Sequence, residues 1–218
     1  MSNSAILTIT GSDSTGGSGV QADITTISAL GSKAVSVITS VTLQNTLGIQ
    51  HFYDLPAPIV SGQLDAIVDD VMPETVKIGM VRNTEVLKAI VSALRRYKPK
   101  SVVYAPVLFS SHGDRLMGTA TIEMIRHKLF PLCKVIIMRR RESDLLLSDC
   151  IADNVCFLDD AADHGSVNMF ASALAVYLNQ GDSVSDAIAK AHAFATNLFS
   201  KSAILTGRSG ELYAEFIN

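Results

Sequence analysis

Near the N-terminus the chain runs Gly11-Ser12-Asp13-Ser14-Thr15-Gly16-Gly17-Ser18-Gly19. Glycines let backbone N–H groups approach an anion closely, so such a loop ahead of a helix can cradle a phosphate. The string lacks the Gly-Lys-Ser/Thr of a Walker loop and makes a poor GxGxxG. On its residues alone it is equally a tight connection. A second group is Arg139-Arg140-Arg141-Glu142. Guanidinium forks match phosphate oxygens, while a solvated cationic loop is the plainer reading. His112 and His164 fall in expected loops, where a histidine is a general base or, more often, a surface residue. Cys133, Cys150 and Cys156 show no CxxC spacing. Their odd, sparse count argues against a disulfide framework or a zinc site and suits a reducing compartment.

The elements that must position these residues follow from periodicity. Short apolar runs predict buried strands over 5–10, 34–40, 75–79, 101–104, 134–138 and 155–159. Between them, apolar residues at helical spacing predict helices over 20–30, 58–71, 84–97 and 119–130. Two more helices are expected over 166–178 and 183–199, then a closing strand pair over 203–207 and 211–216. Strands alternating with helices of ten or more residues predict a mostly parallel, doubly wound α/β sheet flanked by helices. Ligands of such sheets bind in the loops after the strands' C-terminal ends.

Composition excludes several classes. The 218 residues are 48% hydrophobic and 18% charged, enough for one large domain spanning 1–218. A formal net charge of −3 gives no basic stripe for nucleic acid. Mean hydropathy is high at +0.30, yet no window of about 18 apolar residues predicts a membrane span. No signal peptide is read at the N-terminus, so the expected location is cytoplasmic.

Three longer strings are more specific: GSDSTGGSGVQAD from Gly11, SVTLQNTLGIQ from Ser40, and KIGM from Lys77. With Gly113-Asp114-Arg115-Leu116 they make the first two thirds of the chain resemble the hydroxymethylpyrimidine and phosphomethylpyrimidine kinases of thiamine biosynthesis. The resemblance implies a ribokinase-like three-layer sandwich, a small-molecule pyrimidine substrate, ATP and Mg²⁺ as phosphoryl donor and metal, and a homodimer. It implies that Gly11, Ser18, Asp23, Gln44 and Val107 line the pyrimidine site, with Gly79 and Met80 as a wall. Asp23 and Gln44 would pair with the aminopyrimidine edge. Taken singly, Asp23 is an ordinary first-turn helix residue, Gln44 a loop residue and Met80 core filler.

The resemblance weakens toward the C-terminus. Where the family has Asp-Pro-Val, this chain has Ala105-Pro106-Val107. Where it has Thr-Pro-Asn-Leu-Pro-Glu, the chain reads Ile137-Met138-Arg139-Arg140-Arg141-Glu142. Arg139 and Glu142 are thus the expected phosphate residues, and Glu142 the expected metal residue. A Lys-Gly-Gly-His segment has no counterpart between Leu147 and Val155. The family's catalytic Gly-Thr-Gly-Cys-Thr aligns with Gly165-Ser166-Val167-Asn168-Met169. Gly165 and Asn168 hold the catalytic positions, but Asn168 is no carboxylate or thiolate base. Two functions follow: an ATP-dependent kinase, or a pseudo-kinase that binds the pyrimidine in a regulatory role.

Overall fold

The computed structural model describes residues 5–45, 47–110, 113, 115–147, 154–158, 166–199, 203–206 and 212–215. Seven strands form one sheet: β1 (Ile6–Ser12), β2 (Ala34–Asn45), β3 (Gly48–Asp54), β4 (Thr75–Ile78), β5 (Ser101–Tyr104), β6 (Val135–Arg139) and β7 (Val155–Leu158). Their order is β3-β2-β1-β4-β5-β6-β7. All neighbours are parallel except β2 and β3. Strands β8 (Ala203–Thr206) and β9 (Leu212–Glu215) pair antiparallel as a separate ribbon. The expected three-layer α/β sandwich is the observed one.

Alternation along the strands explains the layers. Leu7, Ile9, Val76, Ile78, Val102, Tyr104, Ile136 and Met138 face one core. It is covered by α2 (Ala57–Val71), α3 (Thr84–Tyr97) and α4 (Thr119–Met124). The residues between them, Ile6, Val103, Val135 and Ile137, face a second core. Small residues of α6 (Ser166–Asn179), with α1 (Gly19–Ala29) and α7 (Val184–Phe199), close that side.

One polar node interrupts the second core. Thr8 and Lys77 are register partners on β1 and β4. Lys77 Nζ donates to both carboxylate oxygens of Asp23 at 2.8 Å, from a site with no exposed surface on either side chain. Thr8 Oγ1 donates to Asp23 Oδ2 at 2.5 Å, and Ser172 Oγ to Oδ1 at 2.9 Å. Two strands and two helices are thereby bolted together. A buried charge is tolerated when it is paired and hydrogen-bonded in this way.

Two elements differ from the expectations. Strand β2 runs on to Asn45 and turns into the edge strand β3, so Gln44 lies on a strand rather than in a loop. The strand β3 is only partly buried and has no apolar run to announce it. The helix expected over 119–130 is α4 followed by a π turn, Ile125–Leu129, and a 3₁₀ turn, Phe130–Leu132. Pro131 has no N–H with which to continue an α-helix. From the π turn, Arg126 donates to the carbonyls of Leu145 and Leu146. Those carbonyls close the short helix α5 (Arg140–Leu146), which the sequence reading omitted.

Candidate active site

The strand ends surround one cavity of about 290 Å³. That is at the small end of ligand pockets. Its first wall comes from the loop after β1. Asp13 is almost fully buried, and its carboxylate organises the loop. Oδ1 accepts from Thr15 N and Oγ1, at 2.8 and 2.7 Å. Oδ2 accepts from Ser18 N and Oγ, at 2.9 and 2.7 Å. A carboxylate offers about four lone-pair sites, so Asp13 is saturated by its own loop. Gln21, from the first turn of α1, accepts from Asp13 N and donates to Ser12 Oγ.

Glycine is required where this loop meets α1. Gly19 has φ +60°, and a Cβ there would lie 2.5 Å from the carbonyl oxygen of Gly11. At Gly11 a Cβ would lie 2.6 Å from Met80 Cε. The Met80 side chain therefore packs where a larger residue at position 11 would sit. Its backbone is fixed as well: Thr10 Oγ1 accepts from Met80 N, and Thr39 Oγ1 donates to Met80 O.

The edge hairpin supplies a second wall. Ser14 Oγ donates to the Gln44 carbonyl at 2.8 Å and accepts from Gln44 N at 3.1 Å. Thr42 Oγ1 donates to the Ser12 carbonyl at 3.1 Å. Gln44, Thr42 and Ile49 thus face the cavity beside the glycine loop.

The opposite wall follows β5 and β6. Pro106, Val107 and Phe109 give it an apolar part. Arg139, Arg141 and Glu142 give it charge. Arg140 is set apart from them, with its guanidinium 5.2 Å from the Phe157 ring centroid. Glu142 Oε2 accepts from Arg139 N at 3.0 Å across the first turn of α5. Burial pushes the Glu142 carboxyl above its ordinary range; the Arg139 amide and guanidinium, the Leu108 amide and the Arg141 charge oppose that rise. Val167 and Asn168, from the first turn of α6, complete the lining. Asn168 Nδ2 reaches the Gly19 carbonyl at 3.5 Å, a long contact between the starts of α6 and α1.

The cavity therefore unites Gly11, Ser18, Gln44, Met80, Val107, Arg139, Glu142 and Asn168 from the sequence reading. Asp23 and Gly79 are not in its lining. The expectation for Asp23 as a ring contact gives way to its place in the Lys77 node: it has no exposed surface, and its carboxylate already takes four contacts. Gly79 lies behind the wall, against the side chains of Thr10 and Lys77, and only Met80 presents itself. Gly165, His112 and His164 lie outside the described residues. Asp13, Thr42 and Ile49 were missed as site residues, while Arg141, from the arginine run, lies in the lining with Arg139. Asp13 had a readable signal, an Asx-turn spacing to Thr15 within a glycine loop.

The phosphomethylpyrimidine kinase family model matches residues 13–162. The matched stretch continues well past Leu116, where the quoted motifs end. The thiamine biosynthesis bifunctional protein ThiED of Geobacter sulfurreducens is 32% identical over 236 aligned positions, with 88% of this chain and 48% of that protein covered. The hydroxymethylpyrimidine/phosphomethylpyrimidine kinase of Rhizobium meliloti is 42% identical over 146, with 67% and 54% covered. The chain thus spans about half the length of the curated relatives it matches. The alignment to ThiED has more positions than the chain contributes residues, so that relative carries residues inside the matched stretch which this chain lacks.

Among solved structures, a phosphomethylpyrimidine kinase from Clostridium difficile superposes with a TM-score of 0.79 at 31% identity, with 88% of this chain and 99% of that one covered. The ADP complex of Bacillus subtilis pyridoxal kinase superposes at 0.85 with 21% identity, with 98% and 97% covered. That likeness speaks for the fold alone. Sequence strings, cavity and superposition agree: the chain belongs to the phosphomethylpyrimidine kinase family.

Proposed function

We propose that this chain binds hydroxymethylpyrimidine or its phosphate in the cavity and acts as a kinase of that pyrimidine, with ATP as phosphoryl donor. The observation that carries this reading is the meeting of Ser18, Gln44 and Met80 with the β5 and β6 strand ends around one small cavity. The Gln44 amide offers a donor and an acceptor to the edge of an aminopyrimidine. Met80 and Val107 offer apolar surface to the ring faces. A cytoplasmic location and a homodimer belong to the same proposal; among the described residues no helix is long and apolar enough to cross a membrane.

A second reading, a pyrimidine-binding protein with weak or lost transfer, is favoured by the chemistry of the lining. Mg²⁺ needs oxygen ligands, usually carboxylates. Among the described residues, the lining carboxylates are Asp13 and Glu142. Asp13 is saturated, and Glu142 accepts backbone amides beside two arginines. These residues do not suit a divalent cation. Asn168 stands where a base would be needed, and a positioned base is worth about 10²–10⁴-fold.

Calorimetric titration with hydroxymethylpyrimidine and separately with ATP, paired with a coupled assay of nucleotide consumption, tests both readings. Pyrimidine binding with turnover in the usual range of about 1–10³ s⁻¹ supports the kinase. Pyrimidine binding without turnover supports the second reading. Failure to bind the pyrimidine removes both.

A further inference from the structure

Arg82 joins the two walls from outside the cavity. It follows β4, and the chain around it is held firmly. Asn83 caps α3 by accepting from Val86 N at 2.8 Å, and Thr121 Oγ1, on α4, donates to the Arg82 carbonyl at 3.4 Å. From that post Arg82 Cζ lies 3.6 Å from the centroid of the Phe52 ring, on β3. Arg82 Nε donates to the Leu116 carbonyl at 3.3 Å, and Nη1 reaches Asp54 Oδ1 at 3.5 Å. Leu116 lines the cavity. It closes the loop after β5, where Phe109 and Arg115 form an antiparallel bridge and Leu116 N donates to the Leu108 carbonyl at 2.8 Å. One side chain thus ties the β2–β3 ribbon to the β5 loop.

The ribbon needs such a strut. β3 is the edge strand of the sheet, beside β2. The root of the ribbon is fixed by Gln63 of α2, which bonds both Ile38 N and Ile38 O. Farther out, Val41, Leu43 and Tyr53 are exposed on its outer face. Phe52 stands opposite Thr42, and Asp54 opposite Ser40. A hold on Phe52 therefore acts through the residue pair that brings Thr42 to the cavity, with Gln44 and Ile49 paired just beyond. An exposed ion pair alone contributes little. A guanidinium stacked on a ring while it also bonds a carbonyl is fixed in direction.

Resting on the pyrimidine reading above, we infer that Arg82 is a positioning residue that sets the gap between the Gln44 ribbon and the β5 loop, and so the size of ring the cavity admits. Arg82 is not in the lining and acts through Phe52 and Leu116. Without it the ribbon moves away from the loop. A snug ring then loses contacts, while a bulkier ring gains room.

The test is calorimetric titration of the whole chain with hydroxymethylpyrimidine and with a homologue enlarged by a propyl group on the ring. The native chain, R82Q, F52L and the double variant are compared, with thermal melts to verify folding. The native chain is expected to prefer the smaller pyrimidine. R82Q lowers the affinity for it about 10-fold and brings the ratio of the two affinities toward one. F52L removes the ring but no charge, and shifts the ratio the same way by less. The double variant is no worse than R82Q, because both substitutions break one contact. A lower melting temperature with an unchanged ratio makes Arg82 a purely structural residue and overturns the inference, as do losses that add. If the native chain binds neither pyrimidine, the pyrimidine reading fails, and amide hydrogen exchange without ligand decides this one. Exchange about 10-fold faster over 41–45 and 48–53 in R82Q keeps Arg82 as the strut of the ribbon. Unchanged exchange there removes it.

Discussion

The two walls of the cavity are built from different materials. The wall after β1, β2 and β4 is made of backbone and short side chains with mutual partners: Asp13 with Thr15 and Ser18, Ser14 with Gln44, Thr10 and Thr39 with Met80. Behind it stands the Asp23–Lys77 node. The wall after β5 and β6 carries two arginines and a glutamate around the start of α5, while Asn168, at the start of α6, reaches the Gly19 carbonyl. The first wall fixes a shape before any ligand arrives. The second supplies charge whose value depends on what enters. On the second reading proposed above, binding resides in the first wall and any change in transfer chemistry in the second.

The sharpest way to break this comparison is to attack the node. Removing one partner of a buried ion pair strands the other charge and costs about 3–5 kcal/mol. Asp23→Ala is therefore expected to lower stability by that order, measured as a urea midpoint without ligand. Were Asp23 a ring contact instead, the substitution would leave the midpoint nearly unchanged and remove pyrimidine binding alone. Asp23→Asn keeps the side chain's shape and still strands Lys77, so it should also destabilise.

Asp23 also shows what the sequence could and could not reveal. Its place in a shared string placed it near the pocket, and it is indeed one layer behind. What the string could not show is the partner. Lys77 is the one charged residue in an otherwise β-branched strand, TVKI, and only the sheet register brings it beside Thr8 and under α1. The strand order and helical layers were legible because buried parallel strands write themselves as apolar runs. The edge strand β3 and the short helix α5 were not, since one is only partly buried, with no apolar run, and the other is seven residues long and opens on charged residues.

The next largest effect concerns the second wall. Restoring an acid at Asn168 sharpens the comparison, because a positioned base contributes about 10²–10⁴-fold. On the second reading, phosphoryl transfer from Mg-ATP to hydroxymethylpyrimidine is very slow in the native chain, and Asn168→Asp is expected to raise it. A native rate already near the usual enzyme range would show that the substituted wall still performs the reaction. Asn168→Ala should leave pyrimidine affinity nearly unchanged, since its contact to the Gly19 carbonyl is long, at 3.5 Å, and holds little of the first wall in place.

A smaller effect tests the first wall directly. A ligand at 100 times its Kd stabilises its protein by roughly 2.7 kcal/mol. Hydroxymethylpyrimidine at that excess should raise the melting temperature, and Gln44→Ala should reduce the shift by removing the amide that faces the ring edge. An unchanged melting curve at millimolar pyrimidine would mean that the preformed wall recognises something else.

The smallest effect belongs to Glu142, which ties α5 to the loop after β5. Burial raises its carboxyl above the ordinary 4.5, although four nearby donors and cations oppose the shift. The sign then follows by linkage. Below 4.5 both folded and unfolded chains hold the proton. From there up to the folded value, only the folded chain still holds it. Glu142 therefore contributes stability that is fully present at low pH and is lost as pH rises through that window. Above the folded value the contribution stays lost, without further change. Glu142→Gln removes this dependence, because an amide does not titrate. It also adds a constant penalty, since its NH₂ group cannot accept a backbone amide as a carboxylate oxygen does. Plotting the stability difference between native and E142Q chains against pH separates the two: the constant penalty sets the offset, and the titration sets the slope above 4.5. With increasing pH the native chain should lose ground relative to the variant. A flat difference, or one that grows in favour of the native chain, would mean that the arginine and amide contacts outweigh burial at this carboxyl.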